Sequence, residues 1–153
     1  MSSSNNAQVI LLGTPKTLEA SGGSITNNSV VQADDATYDR DSDGAGYPDA
    51  EFYLTCAFGT GPTEGTTLVL MARPLDIDST NDAEVPELAR PTAPIGRFVV
   101  NNVTTTQYIQ IYGGYVRDVP KKAEYYLGND GTGQTVSSGW KLVVVPRTRT
   151  TAA

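Results

Sequence analysis

Between residues 51 and 58 the chain reads Glu-Phe-Tyr-Leu-Thr-Cys-Ala-Phe, with an apolar residue at every second position. A period of two places Phe52, Leu54, Cys56 and Phe58 on one face of an extended strand and Tyr53, Thr55 and Ala57 on the other. The same period recurs in Leu68, Leu70 and Ala72, and again in Trp140, Leu142 and Val144. Turn-forming residues separate such segments, at Gly22-Gly23, Gly59-Thr60-Gly61-Pro62, Asn101-Asn102, Gly113-Gly114 and Asn129-Asp130-Gly131. Candidate strands are therefore 8–12, 24–32, 51–58, 66–73, 96–101, 107–116, 123–127 and 140–145. About eight short strands with this punctuation indicate an all-β sandwich or barrel.

Two segments fit the pattern less well. Residues 120–128, Pro-Lys-Lys-Ala-Glu-Tyr-Tyr-Leu-Gly, carry a proline early and a glycine late, as a short helix would. The β character of Tyr125-Tyr126-Leu127 and the shortness of the segment favour a strand. Residues 79–94 are acidic, punctuated by proline and long for a loop, which makes them functional or held down by a neighbour.

At 153 residues, one domain spanning 1–153 is expected, with 39% hydrophobic and 18% charged residues befitting a globular chain. A formal charge of −6 disfavours nucleic acid as a partner. The longest early apolar run, Val9-Ile10-Leu11-Leu12, is too short to span a membrane, and no basic residue precedes it as in a secretory signal. The sequons at Asn27 and Asn102 are accordingly expected to be coincidental. The chain has no histidine, which excludes Ser-His-Asp and Cys-His catalysis and the commonest zinc sites. Its single cysteine, Cys56, lies within an apolar alternation and reads as a small buried hydrophobe.

Residues 39–51, Asp-Arg-Asp-Ser-Asp-Gly-Ala-Gly-Tyr-Pro-Asp-Ala-Glu, raise the question of calcium. Asp39, Asp41 and Asp43 occupy the first, third and fifth positions of a helix-loop-helix calcium loop, with Gly44 sixth. The twelfth position, which should be a bidentate glutamate, is Ala50, and the flanking segments lack helical periodicity. An acidic turn between strands is the preferred reading, and a non-helical site at Asp39, Asp41 and Asp43 the alternative. The other acidic cluster, Asp76 to Asp82, lies among Ser, Thr and Asn, without the apolar setting that tunes catalytic carboxylates. No enzyme, metal or cofactor is expected.

Tyrosine is prominent, and on a strand over 107–112 Tyr108, Gln110 and Tyr112 share a face while Ile109 and Ile111 turn to the core. Such a face suits a protein interface or stacking on a sugar ring.

Three stretches together resemble the small capsid decoration, or cement, proteins of tailed double-stranded DNA bacteriophages. They are Arg73-Pro74-Leu75-Asp76-Ile77-Asp78, Val119-Pro120, and Asn129-Asp130-Gly131-Thr132-Gly133-Gln134 leading to Trp140, within a similarity over residues 51–146. The resemblance implies a jelly-roll-like β-sandwich with long loops and extended terminal arms. It further implies a non-catalytic protein on the outer capsid surface of the virion, made in the host cytoplasm, forming dimers or trimers and bridging neighbouring major capsid subunits. The arm 1–12, with Val9 and Ile10, and the tail 147–153, with Arg147 and Arg149, would then contact neighbours, as would Tyr108 and Tyr112. The alternative is a carbohydrate-binding or receptor-binding module using the tyrosine face.

Overall fold

A computed structural model describes residues 7–89 and 94–151. Nine strands are present among them, in two antiparallel sheets. They are β1 (Gln8–Leu12), β2 (Lys16–Gly22), β3 (Val30–Asp39), β4 (Asp49–Cys56), β5 (Thr67–Pro74), β6 (Pro94–Val99), β7 (Gln107–Gln110), β8 (Lys122–Asp130) and β9 (Trp140–Thr151). Among the described residues no helix is long and apolar enough to cross a membrane.

One sheet runs β1-β9-β4-β7, with β2 also paired to β9, and the other runs β3-β8-β5-β6. Strand β2 pairs with β9, β3 with β8, β4 with β7 and β5 with β6. The chain is thus one long hairpin that has been rolled, so that β9 also meets β4 and β8 also meets β5. Sheets ordered 2-9-4-7 and 3-8-5-6 have the jelly-roll connectivity. Strand β1 is an addition to it.

The alternating apolar residues meet between the sheets. Phe52 and Leu54 of β4 and Trp140, Leu142 and Val144 of β9 face Leu68, Leu70 and Ala72 of β5 and Tyr125 and Leu127 of β8 in one buried cluster. Trp140 is fixed there by donating from Nε1 to the Gly23 carbonyl at 2.7 Å. Gly22 permits this, since a Cβ on it would lie 2.0 Å from the Trp140 ring. Within the 120–128 segment, residues 122–128 belong to β8, as the Tyr-Tyr-Leu core favours. The turn after it is built internally: buried Asn129 donates from Nδ2 to the Ile25 and Gln134 carbonyls at 3.0 and 2.7 Å, and Thr132 donates to its Oδ1.

The structure departs from the sequence expectation at several elements. Residues 24–32 do not form one strand: a bridge at Ile25, a turn with Asn28 at a φ of 64°, and the start of β3 divide them. Strand β2 appears ahead of that segment, where only Leu18 and Ala20 are apolar. Strand β7 stops at Gln110, because the chain must turn at Gly113 and Gly114, which have φ of 87° and 88°. Strand β9 runs to Thr151, so the described part of the 147–153 tail is paired rather than a free arm. The long loop is tied down through Leu88, which packs with Val69, Met71 and Tyr126 on the outer face of the four-stranded sheet. Residues 1–6, 90–93 and 152–153, parts of the expected arms and loop, lie outside the described residues.

Candidate functional site: the terminal ribbon and the outer face beside it

The two chain ends meet. Strand β1 pairs with the far end of β9 from Gln8 opposite Thr151 to Leu12 opposite Arg147. On the other side of β9, pairing with β4 stops at Asp49 opposite Arg147. Beyond Arg147 the sheet is therefore reduced to a two-stranded ribbon. Every residue of β1 is exposed, with Ile10 at 46% and Leu12 at 55%. The opposing sheet covers neither of its faces. Ribbons of two strands are marginal alone in water, and this one exposes Val9, Ile10, Leu11 and Leu12 with no charge among them. Of the partner-contact residues expected from sequence, the ribbon brings together Val9, Ile10, Arg147 and Arg149.

Directly opposed residues share a face. Ile10 and Leu12 accordingly share the outer face of the sheet with Arg149 and Arg147, while Val9 and Leu11 oppose Thr150 and Thr148. The two arginines have different surroundings. Arg147 donates to Glu51 Oε2 at 2.9 Å, and its guanidinium lies 4.0 Å from the centre of the Tyr115 ring. Glu51 also accepts from the Tyr53 hydroxyl, and Tyr53 in turn lies 3.4 Å from Gln110 Nε2. The bond to Glu51, followed by burial, pushes the Tyr53 hydroxyl up to about 12. Arg149 is exposed and belongs to no such network among the described residues. Glu51, Tyr53 and Tyr115 were not singled out from sequence as an arginine clamp. The signal was the outward half of the β4 alternation, which carries a carboxylate and a phenol on one face.

Beside Arg149, where β4 begins, lies an open groove of about 430 Å³ lined by Pro48, Asp49, Tyr115, Arg117, Thr148 and Arg149. The Asp49 carboxylate in it accepts the Asp118 amide at 3.0 Å.

Tyr108 and Gln110 point outward from β7 beside Thr55 and Tyr53, and Tyr108 is 81% exposed. Tyr112, 78% exposed, follows the end of β7, where its amide donates to the Arg97 carbonyl at 2.8 Å. The shared strand face expected for Tyr108 and Tyr112 thus ends before the second of them.

The acidic loop is organised from within. Asp39 accepts the Asp41 and Ser42 amides at 2.9 and 3.2 Å, and Asp43 accepts the Asp39 amide at 2.8 Å and the Lys16 ammonium at 2.7 Å. Burial would raise the Asp43 pKa, but Lys16 and the Asp39 amide outweigh it and lower it. Asp41 faces Lys121 at 3.9 Å. The carboxylates of Asp39, Asp41 and Asp43 do not gather at one point. Among the described residues the one convergence of three carboxylates is Glu19, Asp34 and Asp35. There Glu19 accepts the Asp34 and Ser21 amides, and Asp35 accepts the Ala20 amide.

Comparison with known proteins found no matching family model, no matching curated protein and no matching solved structure.

Proposed function

We propose that this protein is a virion structural protein. It binds the outer surface of a bacteriophage capsid shell as a dimer or trimer and stabilises the shell by bridging neighbouring major capsid subunits, without catalysis. The observation that carries the reading is the terminal ribbon, which displays beyond the body of the sandwich an uncharged apolar run and Arg149, which meets no carboxylate among the described residues. Such an element gains most when a partner covers it. The resemblance of residues 51–146 to decoration proteins supplies the partner class. A jelly roll fits but does not discriminate, since capsid and lectin domains both use it. Repetition over a shell would turn modest ribbon contacts into firm attachment through avidity.

A second reading rests on the exposure of Tyr108, whose ring offers a flat apolar surface next to the polar Gln110. Such a pair suits stacking on a sugar, as in a carbohydrate-binding or receptor-binding module.

The test is co-sedimentation of purified protein with undecorated, expanded capsids, run with calcium and again with EDTA. Saturable binding in both, lost when Ile10 and Leu12 are both replaced by Asp, supports the shell reading. Binding lost only in EDTA makes attachment depend on a metal, and loss of that dependence in Asp43→Asn would place the metal in the 39–51 loop rather than at Glu19, Asp34 and Asp35. Absence of binding in either condition, with retention on a glycan array, transfers the function to the Tyr108 face.

A further inference from the structure

The groove beside Arg149 adjoins an open strand edge. The Gly13 amide donates to the Pro146 carbonyl at 2.8 Å, so by antiparallel alternation Thr148 and Thr150 also turn their backbone groups towards β1. Arg147, Arg149 and Thr151 then face the opposite side. Ala50 exchanges both of its backbone bonds with Val116, which leaves Asp49 facing Arg147 in the last pair between β4 and β9. Past that pair, the backbone groups of Arg149 and Thr151 face no strand among the described residues. A chain entering there would lie in line with β4 and continue the sheet.

The charges around this edge point the same way. Lys16, Arg73, Arg97, Lys121, Lys122 and Arg147 each meet a carboxylate. Arg40, Arg117, Lys141 and Arg149 meet none among the described residues; Arg40 instead donates to the Val119 carbonyl at 3.0 Å, and of these four Arg117 and Arg149 line this groove together, in a chain of net charge −6. The Asp49 carboxylate beside them is already engaged by the Asp118 amide. Guanidinium pairs of this kind match carboxylates, and an open edge of amide and carbonyl groups matches only a polypeptide.

We infer that the open edge of β9 at Arg149 and Thr151 is a strand-addition site for an extended, carboxylate-bearing segment of a partner protein, paired by Arg149 and Arg117. Side chains on an added strand alternate between faces, so the carboxylates fall at every second residue. The chain's own acidic loops are poor occupants: Asp39 and Asp43 accept backbone amides, Asp76 pairs with Lys122, and Asp78 holds Thr80 and Asn81. The inference deepens the shell reading, and rests on it only for the identity of the partner.

The probe is the capped hexapeptide Glu-Thr-Glu-Thr-Glu-Thr, followed by amide chemical-shift mapping on the full chain. Shifts centred on the Arg149 and Thr151 amides and the Arg117 Nε are expected. Binding should weaken about tenfold or more when the glutamates become glutamine, or when Arg149→Glu is introduced. Thr151→Pro removes an amide that faces away from β1, so it should spare the ribbon yet also weaken the peptide. Equal binding of the Glu and Gln peptides overturns the inference. So does tripolyphosphate displacing the peptide from wild type and Thr151→Pro alike, which leaves a simple anion patch. Dimerisation in sedimentation velocity that Arg149→Glu abolishes would assign the edge to a second copy, and also overturns it. Capsid binding that persists when the peptide fails refutes this site and spares the shell reading. Peptide binding without capsid binding does the reverse.

Discussion

At the scale of single residues, the position of Arg147 decides what it does. Its guanidinium is enclosed by Glu51 and Tyr115, so the carboxylate expected from a partner is supplied from within the chain. Both side chains of the ion pair are about nine-tenths shielded. Removing one partner of such a pair strands the other charge, at a cost of about 3–5 kcal/mol. Arg147→Met should lower unfolding free energy by that order in urea denaturation, and the double variant Arg147→Met, Glu51→Gln should recover much of the loss. A single-variant loss below about 1 kcal/mol would mark the pair as solvated. Gly44 is a second instructive position. In the calcium-loop reading it serves the turn around an ion; in the structure a Cβ there would lie 2.3 Å from the Tyr38 hydroxyl and 2.6 Å from the Arg40 carbonyl. The glycine lets the loop close over a buried tyrosine. Gly44→Ala should therefore destabilise by about 1–3 kcal/mol, equally in calcium and EDTA, as read by thermal unfolding. A loss confined to calcium-loaded protein would restore the metal reading.

At the scale of elements, β9 joins two environments. Trp140, Leu142 and Val144 lie in the core between β2 and β4, whereas Thr148 and Thr150 are paired only with the exposed β1. Amide exchange should follow that division, with Leu142 and Val144 protected to near the global unfolding limit and Thr148 and Thr150 exchanging orders of magnitude faster. Deleting residues 1–12 should expose the second pair without changing the first; uniform protection along β9 would mean that the ribbon is part of the core. The same contrast explains what the sequence conveys. Strands β4, β5 and β9 were legible because their inward residues alternate without interruption. Strand β2 was not, since only Leu18 of its seven residues belongs to the central core cluster and its register slips twice against β9. Strand β3 begins late and carries Asp34 and Asp35 at an irregularity between Ala33 and Tyr38, which hides its period. For the candidate site, the residues of the ribbon were legible as interface residues. Their mutual pairing was not, because two chain ends carry no local signal of meeting. The clamp of Glu51, Tyr53 and Tyr115 on Arg147 was hidden for the same reason: with Arg147 it joins three segments across one face.

At the scale of the whole molecule, burial of titratable groups in one rolled core fixes how stability responds to pH. Burial pushes the Cys56 thiol from 9.0 up to about 12. Burial and then the nearby Asp43 charge push Tyr38 from 10.0 up to about 12. Tyr125 is raised by burial and by Tyr38, and Tyr53 by its bond to Glu51. All four shifts have the same sign: the folded state holds its proton above the pH at which the unfolded chain releases it. Their stabilisation is therefore complete below about pH 9 and is lost as pH rises towards 12. No histidine titrates nearer neutrality. Urea midpoints should be nearly constant from about pH 7 to 8, fall from about pH 9 as unfolded Cys56 ionises, and fall faster above about pH 10 as the tyrosines follow. Each fully buried group contributes a slope of roughly 1 kcal/mol per pH unit once its unfolded form has ionised. Cys56→Ala separates the contributions. Its midpoints should be lower throughout because of the small cavity, yet hold level for about one further pH unit before declining. A variant whose decline begins where the wild type's does would show that Cys56 is not sealed in the core. In that event a thiol reagent would also label the folded protein at neutral pH, where the buried cysteine should stay unreactive.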